Sequence, residues 1–574
     1  MKKRKRLTVE QNFFYRGVFL FFIFHLLLLI VLVRLYQHQV IEHQDALLSS
    51  NNQYQMTAKI SGNRGKIYTA DNFLLVGNQN YYRFFLNLNL IKKPQKMVSD
   101  VYPFLEKRLD IQLRGIQNQQ QLEQKIATFS GNILYLADKV DENLKNQLAM
   151  LKIVGLGFDS YQTRIYPEAS MASHLLGFVN KEGQGQQGVE GYFDQELKPK
   201  IREQVMEIDA LKRPLFLNKT LNADNEVQHG RDLVLSIRKD IQTVAEQELY
   251  KGIMTTGAKS GEVVVYQVKT GKILALTSWP NYEPANYFNY SASVYKNPAL
   301  VDLFEPGSVL KVLTISAGID EGLISPDTTC PQCAGPRRIG QYLIKTWNDQ
   351  YFPNIDMTTA LKKSDNTALV YVGELLGSNR LKKYYRRFGL GQKTNIDLQD
   401  DVEIPFPSVW GDIEIANRSF GQGILVNSLQ IARLAAAIAN DGFLTKPSVV
   451  DKIIDSNLQQ EYIIAPVIET QAIATNTAKL VQKMMVETFA NNEGKWLYQG
   501  KKIAGGKSGT AQIPDPNGGY LSGPTLASFV GFLPANNPEV VIYVKLNNPK
   551  TSIYAEGTAR PIWCKIAEKI LIMM

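Results

Sequence analysis

The sequence predicts an α+β protein tethered by one N-terminal membrane helix. Three observations lead there. Residues 17–33 (GVFLFFIFHLLLLIVLV) form an apolar run without a formal charge. From residue 232 onward a hairpin pattern opens, long helical patterns fill the middle, and two strand patterns and a helix close the chain. That segregation is an α+β layout. The 574 residues are also too many for one compact core, so more than one folded unit is expected.

The elements follow in order. Residues 1–16 hold Lys2, Lys3, Arg4, Lys5, Arg6 and Arg16 against one acid, Glu10. The whole chain carries +10, so half of the excess lies in this tail and the rest has no basic footprint for nucleic acid. As a helix, residues 17–33 rise about 1.5 Å each and span about 26 Å, near the hydrocarbon thickness. The basic block on their N-terminal side places residues 1–16 in the cytoplasm and the remainder outside. A cleaved signal peptide is the rival reading. Its apolar region is usually shorter, and Arg34-Leu-Tyr-Gln-His-Gln-Val is a poor small-residue cleavage site. His25 has no charged partner in the run and reads as a tolerated interruption. No second apolar run of that length follows.

Residues 37–57 are polar and helix-compatible, a membrane-proximal stalk. Short strands are expected at 66–68, 73–76 and 81–88, split by turn residues such as Ala70-Asp71-Asn72. Residues 95–152 carry apolar positions at helical spacing and are expected to be helical. Residues 154–225 return to short elements, and the polar stretch 222–226 marks a domain boundary. Beyond it, 233–237 reads as a strand and 239–252 as a helix. Residues 262–268 and 273–276 form hairpin arms around Lys269-Thr-Gly-Lys272. Helical patterns follow at 309–323, 356–376, 427–441 and 475–492, then strands at 526–532 and 539–544 and a helix at 560–573. The expected domains are 1–16 (cytoplasmic tail), 17–34 (membrane helix), 35–228 and 229–574.

Composition narrows the chemistry. Three cysteines exclude a disulfide-dense scaffold. The five histidines are His25, His38, His43, His174 and His229, so none lies beyond Gly230. A Ser–His–Asp triad and a histidine zinc site are both excluded from the C-terminal region, and no metal or cofactor is expected there. A nucleophilic serine in that region needs another base, and lysine is the known substitute.

Phe304-Glu-Pro-Gly-Ser308-Val-Leu-Lys311 supplies such a pair. Pro306 and Gly307 interrupt regular structure, and the apolar run after Ser308 is helical, so Ser308 sits at a helix start. Free N–H groups and the helix dipole there favour developing negative charge. Lys311, one turn on, lies on the same face. Buried, it could lose its proton near neutral pH and activate the hydroxyl. Alone the motif is weak, because helix-capping serines are common. Two others follow it. Ser364-Asp365-Asn366 comes 56 residues after Ser308, and Lys507-Ser508-Gly509-Thr510 begins 141 residues after Asn366, in a strand-like stretch of small residues. Ser-x-x-Lys, Ser-Asp-Asn and Lys-Ser/Thr-Gly in this order are the signature of penicillin-binding proteins and class A β-lactamases.

The chain therefore resembles a class B penicillin-binding protein, a peptidoglycan D,D-transpeptidase. The likeness covers nearly its whole length. Asn63-Arg64-Gly65-Lys66-Ile67-Tyr68 resembles that family's Arg-Gly signature near the membrane. His174-Leu-Leu-Gly-Phe-Val-Asn through Gly188-Val-Glu190-Gly-Tyr resembles its second pedestal signature. Gly421-Gln-Gly-Ile, Ile438-Ala-Asn-Asp-Gly442 and Ser528-Phe-Val-Gly-Phe-Leu-Pro534 resemble segments around its third active-site motif. The resemblance implies an elongated pedestal over 35–228 and a transpeptidase domain over 229–574. No glycosyltransferase-like domain separates anchor from pedestal, which points to class B over the bifunctional class A.

Roles follow by position. Ser308 would attack the penultimate D-Ala carbonyl of a stem peptide, with Lys311 as base. Ser364 would relay a proton to the leaving amine, Asn366 would hold the substrate amide, and Lys507, Ser508, Gly509 and Thr510 would form the strand that binds the D-Ala carboxylate. The N–H groups of Ser308 and Thr510 would make the oxyanion hole. β-Lactams would acylate Ser308. The implied partners are a SEDS-type glycosyltransferase and other divisome or elongasome membrane proteins, and the implied place is the bacterial inner membrane. The pedestal signature and Ser528-Phe-Val-Gly-Phe incline the reading to the septal, FtsI-like type, with the elongation type as alternative. Asp365 and Ser508 depart mildly from the commonest residues. Asn427-Ser428, standing where Thr-Pro is frequent, is expected to loosen a helix start.

Rivals from other classes are a membrane-anchored β-lactamase or β-lactam sensor and a scaffold that has lost activity. The first lacks an identifiable water-activating carboxylate near Ser308, and the second is at odds with three intact motifs. Gly183-Gln-Gly185-Gln-Gln-Gly188 matches a dinucleotide fingerprint only literally, without a βαβ frame. Cys330-Pro-Gln-Cys333 lacks a thioredoxin-like frame and is expected as a surface pair open to oxidation. Cys564 is expected as buried packing.

Overall fold

The computed structural model describes residues 9–45, 55–106, 112–113, 116, 118–207, 228–490, 497–498, 501–515 and 519–574. Most of the basic tail, the expected boundary at 222–226 and the last two residues of the expected 475–492 helix lie outside the described residues. The chain divides into two units by contact, one of Met1–Gly62 with Pro199–His229 and one of Asn63–Lys198 with Gly230–Met574.

In the first unit, α1 (Val9–Tyr36) runs past both ends of the apolar stretch. None of its residues is buried, and apolar groups cover it all round, as in a membrane span. Among the described residues it belongs to the one helix long and apolar enough to cross a membrane. His25 donates from Nδ1 to the Phe21 carbonyl 2.9 Å away, so one ring nitrogen is satisfied within the helix. The expected helical stalk is corrected at its end only. A π turn (Gln37–Ile41) follows α1, and residues 43–45 are helical. Residues 46–54 lie outside the described residues, and Gln55–Ser61 is a strand antiparallel to Ile201–Glu207. Its partner lies some 140 residues on, and pairing at that distance overrides local helix compatibility.

The second unit holds two large sheets. In the first, Leu74–Asn87 is one 14-residue strand, not two, because Gly77–Asn80 pair with Ile165–Gln162. Ile133–Val140 pairs with the same strand, which corrects the wholly helical expectation for 95–152. The helices Pro94–Glu106, Gln119–Thr128 and Glu142–Met150 flank that strand, the last two capped by Asn118 and Asp141. Phe84, Leu86, Val98, Leu122, Leu136 and Leu148 are buried between helices and strands. Ile67–Tyr68 carries the sheet onward by pairing parallel with Asp232–Leu235, which pairs in turn with Val450–Asp455. The two pedestal signatures meet beside this join. Fully buried Glu190 accepts from Arg64 (Nε 2.8 Å, Nη2 2.6 Å) and from Arg164 (Nε 2.7 Å), and Asp194 accepts from Arg64 Nη1 at 2.8 Å. The Gly183–Gly188 stretch forms only a short hairpin arm, Gly185–Gln186.

The C-terminal part carries the second sheet. Its elements are α2 (Lys239–Thr256), β1 (Ser260–Gln267), β2 (Ile273–Trp279), α3 (Lys311–Asp320), α4 (Met357–Lys363), α5 (Asn366–Arg387), α6 (Ser428–Ala439), α7 (Thr475–Ala490), β3 (Gly505–Pro514), β4 (Tyr520–Leu533), β5 (Val540–Asn547) and α8 (Ala559–Met573). The strand order is β2-β1-β5-β4-β3, antiparallel throughout. Leu249, Val263, Phe529, Val544 and Trp563 form a core under α2 and α8, and every residue of α6 is buried on the other face. Buried on both faces, β5 opens with the apolar run Val540–Val544 and then buries Lys545 in an ion pair with Glu262 at 2.6 Å.

Three expectations change here. The 356–376 pattern is two helices, broken at Ser364 and Asp365. Asn427 does not loosen α6: its side chain accepts from Gln430 N–H while the Gln430 side chain accepts from Asn427 N–H, a closed capping box. Cys330 and Cys333 are disulfide-bonded, as a pair open to oxidation allows, but both are fully buried. The cause is local. Thr329–Cys330 pairs with Ile355–Asp356, and both cysteines join the main apolar core. Cys564 is buried in α8.

Candidate active site

The turn that carries Ser308 is built by backbone contact. Gly307 takes φ +57°, a left-handed conformation suited to glycine, and its N–H donates to the Gly421 carbonyl at 2.9 Å. Gly421 (φ +97°) lies so close that a Cβ there would sit 2.0 Å from the Gly307 oxygen. The following turn, Gly307–Leu310, is 3₁₀ and leads directly into α3. In that geometry residues i and i+3 eclipse, so Ser308 and Lys311 share one face. The turn packs on β3, where a Cβ on Gly509 would lie 3.1 Å from the Pro306 oxygen.

Lys311 is fully buried. Its Nζ donates to the Ser364 carbonyl (2.7 Å), Ser364 Oγ (3.2 Å) and Asn366 Oδ1 (2.7 Å). Burial, helped by the charge of Lys507, pushes its pKa well below the ordinary lysine range, against the pull of Asp365. Ser308 is half-buried, and its hydroxyl has no hydrogen-bond partner among the described residues. Such contacts commonly tighten only when substrate arrives.

Ser364 sits between α4 and α5 at φ +57°, an unusual conformation for a residue with a Cβ. Asp365 holds it there by capping α5, accepting from the N–H groups of Thr367 (2.7 Å) and Ala368 (3.1 Å). Asn366, besides accepting from Lys311, donates from Nδ2 to the Lys345 carbonyl at 2.8 Å.

The third wall is β3, an edge strand. Lys507 is nearly fully buried and donates to Ser364 Oγ at 3.2 Å and to the Ser508 carbonyl at 2.9 Å. Burial lowers its pKa to about 8, opposed by Glu556. The Glu556 carboxylate pairs with Arg560 at 2.6 Å, and against the effect of burial Arg560 and the neighbouring Ser508 hydroxyl hold it below its ordinary range. Thr510 Oγ1 accepts from Ala555 N–H at 3.2 Å. The structure thus brings Lys311, Ser364, Asn366 and Lys507 into direct contact, with Ser308 one turn from Lys311 and Ser508, Gly509 and Thr510 along the adjoining strand. Ser364 Oγ lies between the two amines.

Sequence reading missed Glu556, which anchors β3 from a 3₁₀ turn (Ala555–Gly557) and belongs to no motif. It also missed Glu305, whose Oε1 accepts from Gly423 N–H (2.9 Å) and whose Oε2 accepts from the Tyr520 hydroxyl (3.0 Å). With each oxygen bonded to a different segment, Glu305 braces the turn. Its place next to Pro306 was the one available signal.

Comparison with known proteins agrees with this geometry. The Penicillin binding protein transpeptidase domain family matches residues 261–571, and the Penicillin-binding Protein dimerisation domain family matches residues 59–235. The chain is 30% identical over 436 residues to Stage V sporulation protein D of Bacillus subtilis (strain 168), covering 74% of this chain and 66% of that protein. It is 29% identical over 483 residues to the peptidoglycan D,D-transpeptidase FtsI of Escherichia coli (strain K12), covering 83% and 78%. The crystal structure of Penicillin Binding Protein 2X from Streptococcus thermophilus matches its fold with a TM-score of 0.74 at 22% identity, covering 88% of this chain and 79% of that one. With α1 ahead of these domains, this is a membrane-anchored protein. A transpeptidase match over more than half the chain, preceded by the dimerisation match, gives the conclusion that the chain belongs to the class B penicillin-binding proteins.

Proposed function

We propose that the protein is a peptidoglycan D,D-transpeptidase acting through a serine acyl-enzyme on the outer side of the inner membrane, with residues 1–16 in the cytoplasm. In this reading Lys311, its proton lost, accepts the Ser308 hydroxyl proton as Oγ attacks the carbonyl of the penultimate D-Ala. The N–H groups of Ser308 and Thr510 stabilise the oxyanion, a contribution of roughly 3–4 kcal/mol per donor. The proton passes through Ser364 to the departing D-Ala nitrogen, the peptide bond breaks, and an ester remains on Ser308. Lys507 with Ser508 and Thr510 holds the terminal carboxylate, and Asn366 the stem-peptide amide. An amine of a second stem peptide then attacks the ester, which forms the cross-link and returns the proton to Ser308. Water in place of that amine would give carboxypeptidase activity.

What carries the reading is the single hydroxyl, Ser364 Oγ, at 3.2 Å from both a depressed lysine on the Ser308 helix and a lysine on the edge strand. Glu305 and Glu556 are held by protein donors, and Asp365 caps α5 through Oδ1 with its other oxygen buried away from the cleft surface, which favours a slow-turnover acyl-enzyme over a β-lactamase. The pedestal signature and the FtsI relative favour septal work with a SEDS-type glycosyltransferase and divisome partners over elongation.

Fluorescent penicillin labelling tests the mechanism. The wild type should take a covalent label that persists for many minutes, and Ser308→Ala should take none while melting at the same temperature. Undiminished labelling of Ser308→Ala would refute the serine mechanism. Rapid loss of the wild-type label would replace it by hydrolysis.

A further inference from the structure

We infer that the far edge of the same sheet carries a second binding site, for a single N-acetylated hexosamine. The site is β2, the edge strand opposite β3, where α2 packs beside it. Outward-facing backbone groups recur every second residue along such an edge. The Leu274 carbonyl is met by Arg238 N–H at 3.1 Å. The next position, Leu276, is closed by one side chain: its N–H donates to Gln242 Oε1 (2.9 Å) and its carbonyl accepts from Gln242 Nε2 (3.0 Å). Both groups of Leu276 therefore point away from β1. Ser278, two residues on in the same register, must present its N–H and carbonyl outward too. Neither has a partner among the described residues. One donor and one acceptor stand open there, room for one amide and not for a docked strand.

A cavity of about 230 Å³ opens at this position. It is smaller than the about 300–1,000 Å³ of drug-sized pockets, so it suits one ring. Trp279 and Tyr250 line it edge to face, with ring centroids 5.0 Å apart. Glu246 reaches in from α2. Among the described residues it accepts from Ala172 N–H and Gln242 Nε2 (both 2.8 Å) through Oε1, which leaves Oε2 for a ligand. Asn281 adds an amide. The Ser278 hydroxyl, behind the cavity wall, is buried without a partner.

The ligand class follows from these groups. The open N–H and carbonyl of Ser278 match the carbonyl and N–H of one acetamido group. The aromatic pair matches the C–H face of a pyranose. Glu246 Oε2 and Asn281 match ring hydroxyls. Burial pushes the Glu246 carboxyl above its ordinary range, so a neutral polyol suits it better than an ammonium ion. None of this depends on acylation of Ser308.

The full chain in detergent is titrated with N-acetylglucosamine, glucosamine and glucose, with binding read by saturation-transfer NMR. Wild type and Ser308→Ala should both bind N-acetylglucosamine saturably. Trp279→Ala and Glu246→Gln, which replaces the free acceptor by a donor, should each weaken binding at least about tenfold while still labelling with penicillin at the wild-type rate. Glucosamine and glucose should bind at least about tenfold more weakly than N-acetylglucosamine. No saturable wild-type binding, equal affinity for glucose, or unchanged binding by Glu246→Gln would overturn the site. Penicillin labelling of Ser308 is read separately, so failure of the sugar site and failure of the acylation mechanism are distinct results.

Discussion

Raising the pH from 7 to 9 should weaken capture of a carboxylate-bearing β-lactam about tenfold through the titration of Lys507. The amines of Lys311 and Lys507 each lie 3.2 Å from Ser364 Oγ. Two such charges are then at most about 6.4 Å apart, and at an effective dielectric near 20 they repel by roughly 2–3 kcal/mol, close to two pK units. Added to the larger cost of burial, that repulsion favours keeping one of the two amines neutral. Lys311 yields, being fully buried and facing the second charge, and Lys507 titrates near 8. About nine tenths of Lys507 is charged at pH 7 and about one tenth at pH 9, while the drug's carboxylate stays ionised throughout. The assay is the second-order rate of labelling by a fluorescent penicillin between pH 6.5 and 9.5 at constant ionic strength. On the acid side the rate should fall as Lys311 takes up a proton and ceases to be a base. On the alkaline side it should fall through pH 8, and a probe with an esterified carboxylate should not show that fall. A rate still level or rising at pH 9, or an equal fall with the ester, would refute the division of labour between the lysines.

Three further outcomes are expected. Asp365→Ala should lower stability by about 1 kcal/mol through loss of the α5 cap and shift the acid limb of labelling to lower pH, because the charge holding Lys311 up is gone. Asp365→Asn should keep the cap and show the shift alone. Glu190→Gln should cost about 3–5 kcal/mol by leaving Arg64 and Arg164 buried without their shared anion, read by thermal melting in detergent. Gly421→Ala, with its Cβ driven against the Gly307 oxygen, should cut the labelling rate at least about tenfold by displacing the Ser308 turn, read on the same gels.

The motif residues were legible because their chemistry dictates residue type and the chain order is fixed. The break at Ser364 was half legible. Asp365 is a good N-cap ahead of Asn366 and Thr367, but strong helix formers on both sides hid a left-handed residue between them. The 14-residue strand from Leu74 was not legible, since its polar middle is held by a partner near residue 163 that no local pattern reveals. Glu556 was invisible for the same reason. Its value comes from reaching Ser508 across 48 residues of chain. The capping box at Asn427 was readable in full, because Gln430 stands three residues on, and the comparison with Thr-Pro drew attention away from it.

The glycine-lined contact between the Ser308 turn, Gly421 and β3 leaves no spare volume at the centre of the cleft. If the proposed mechanism holds, added bulk there is a poor route to drug resistance, because a methyl group that keeps an antibiotic out also displaces the turn that carries Ser308. Evolution has freer ground at the rim, where half-exposed Trp347 and Tyr554 meet edge to face and can change without touching either lysine.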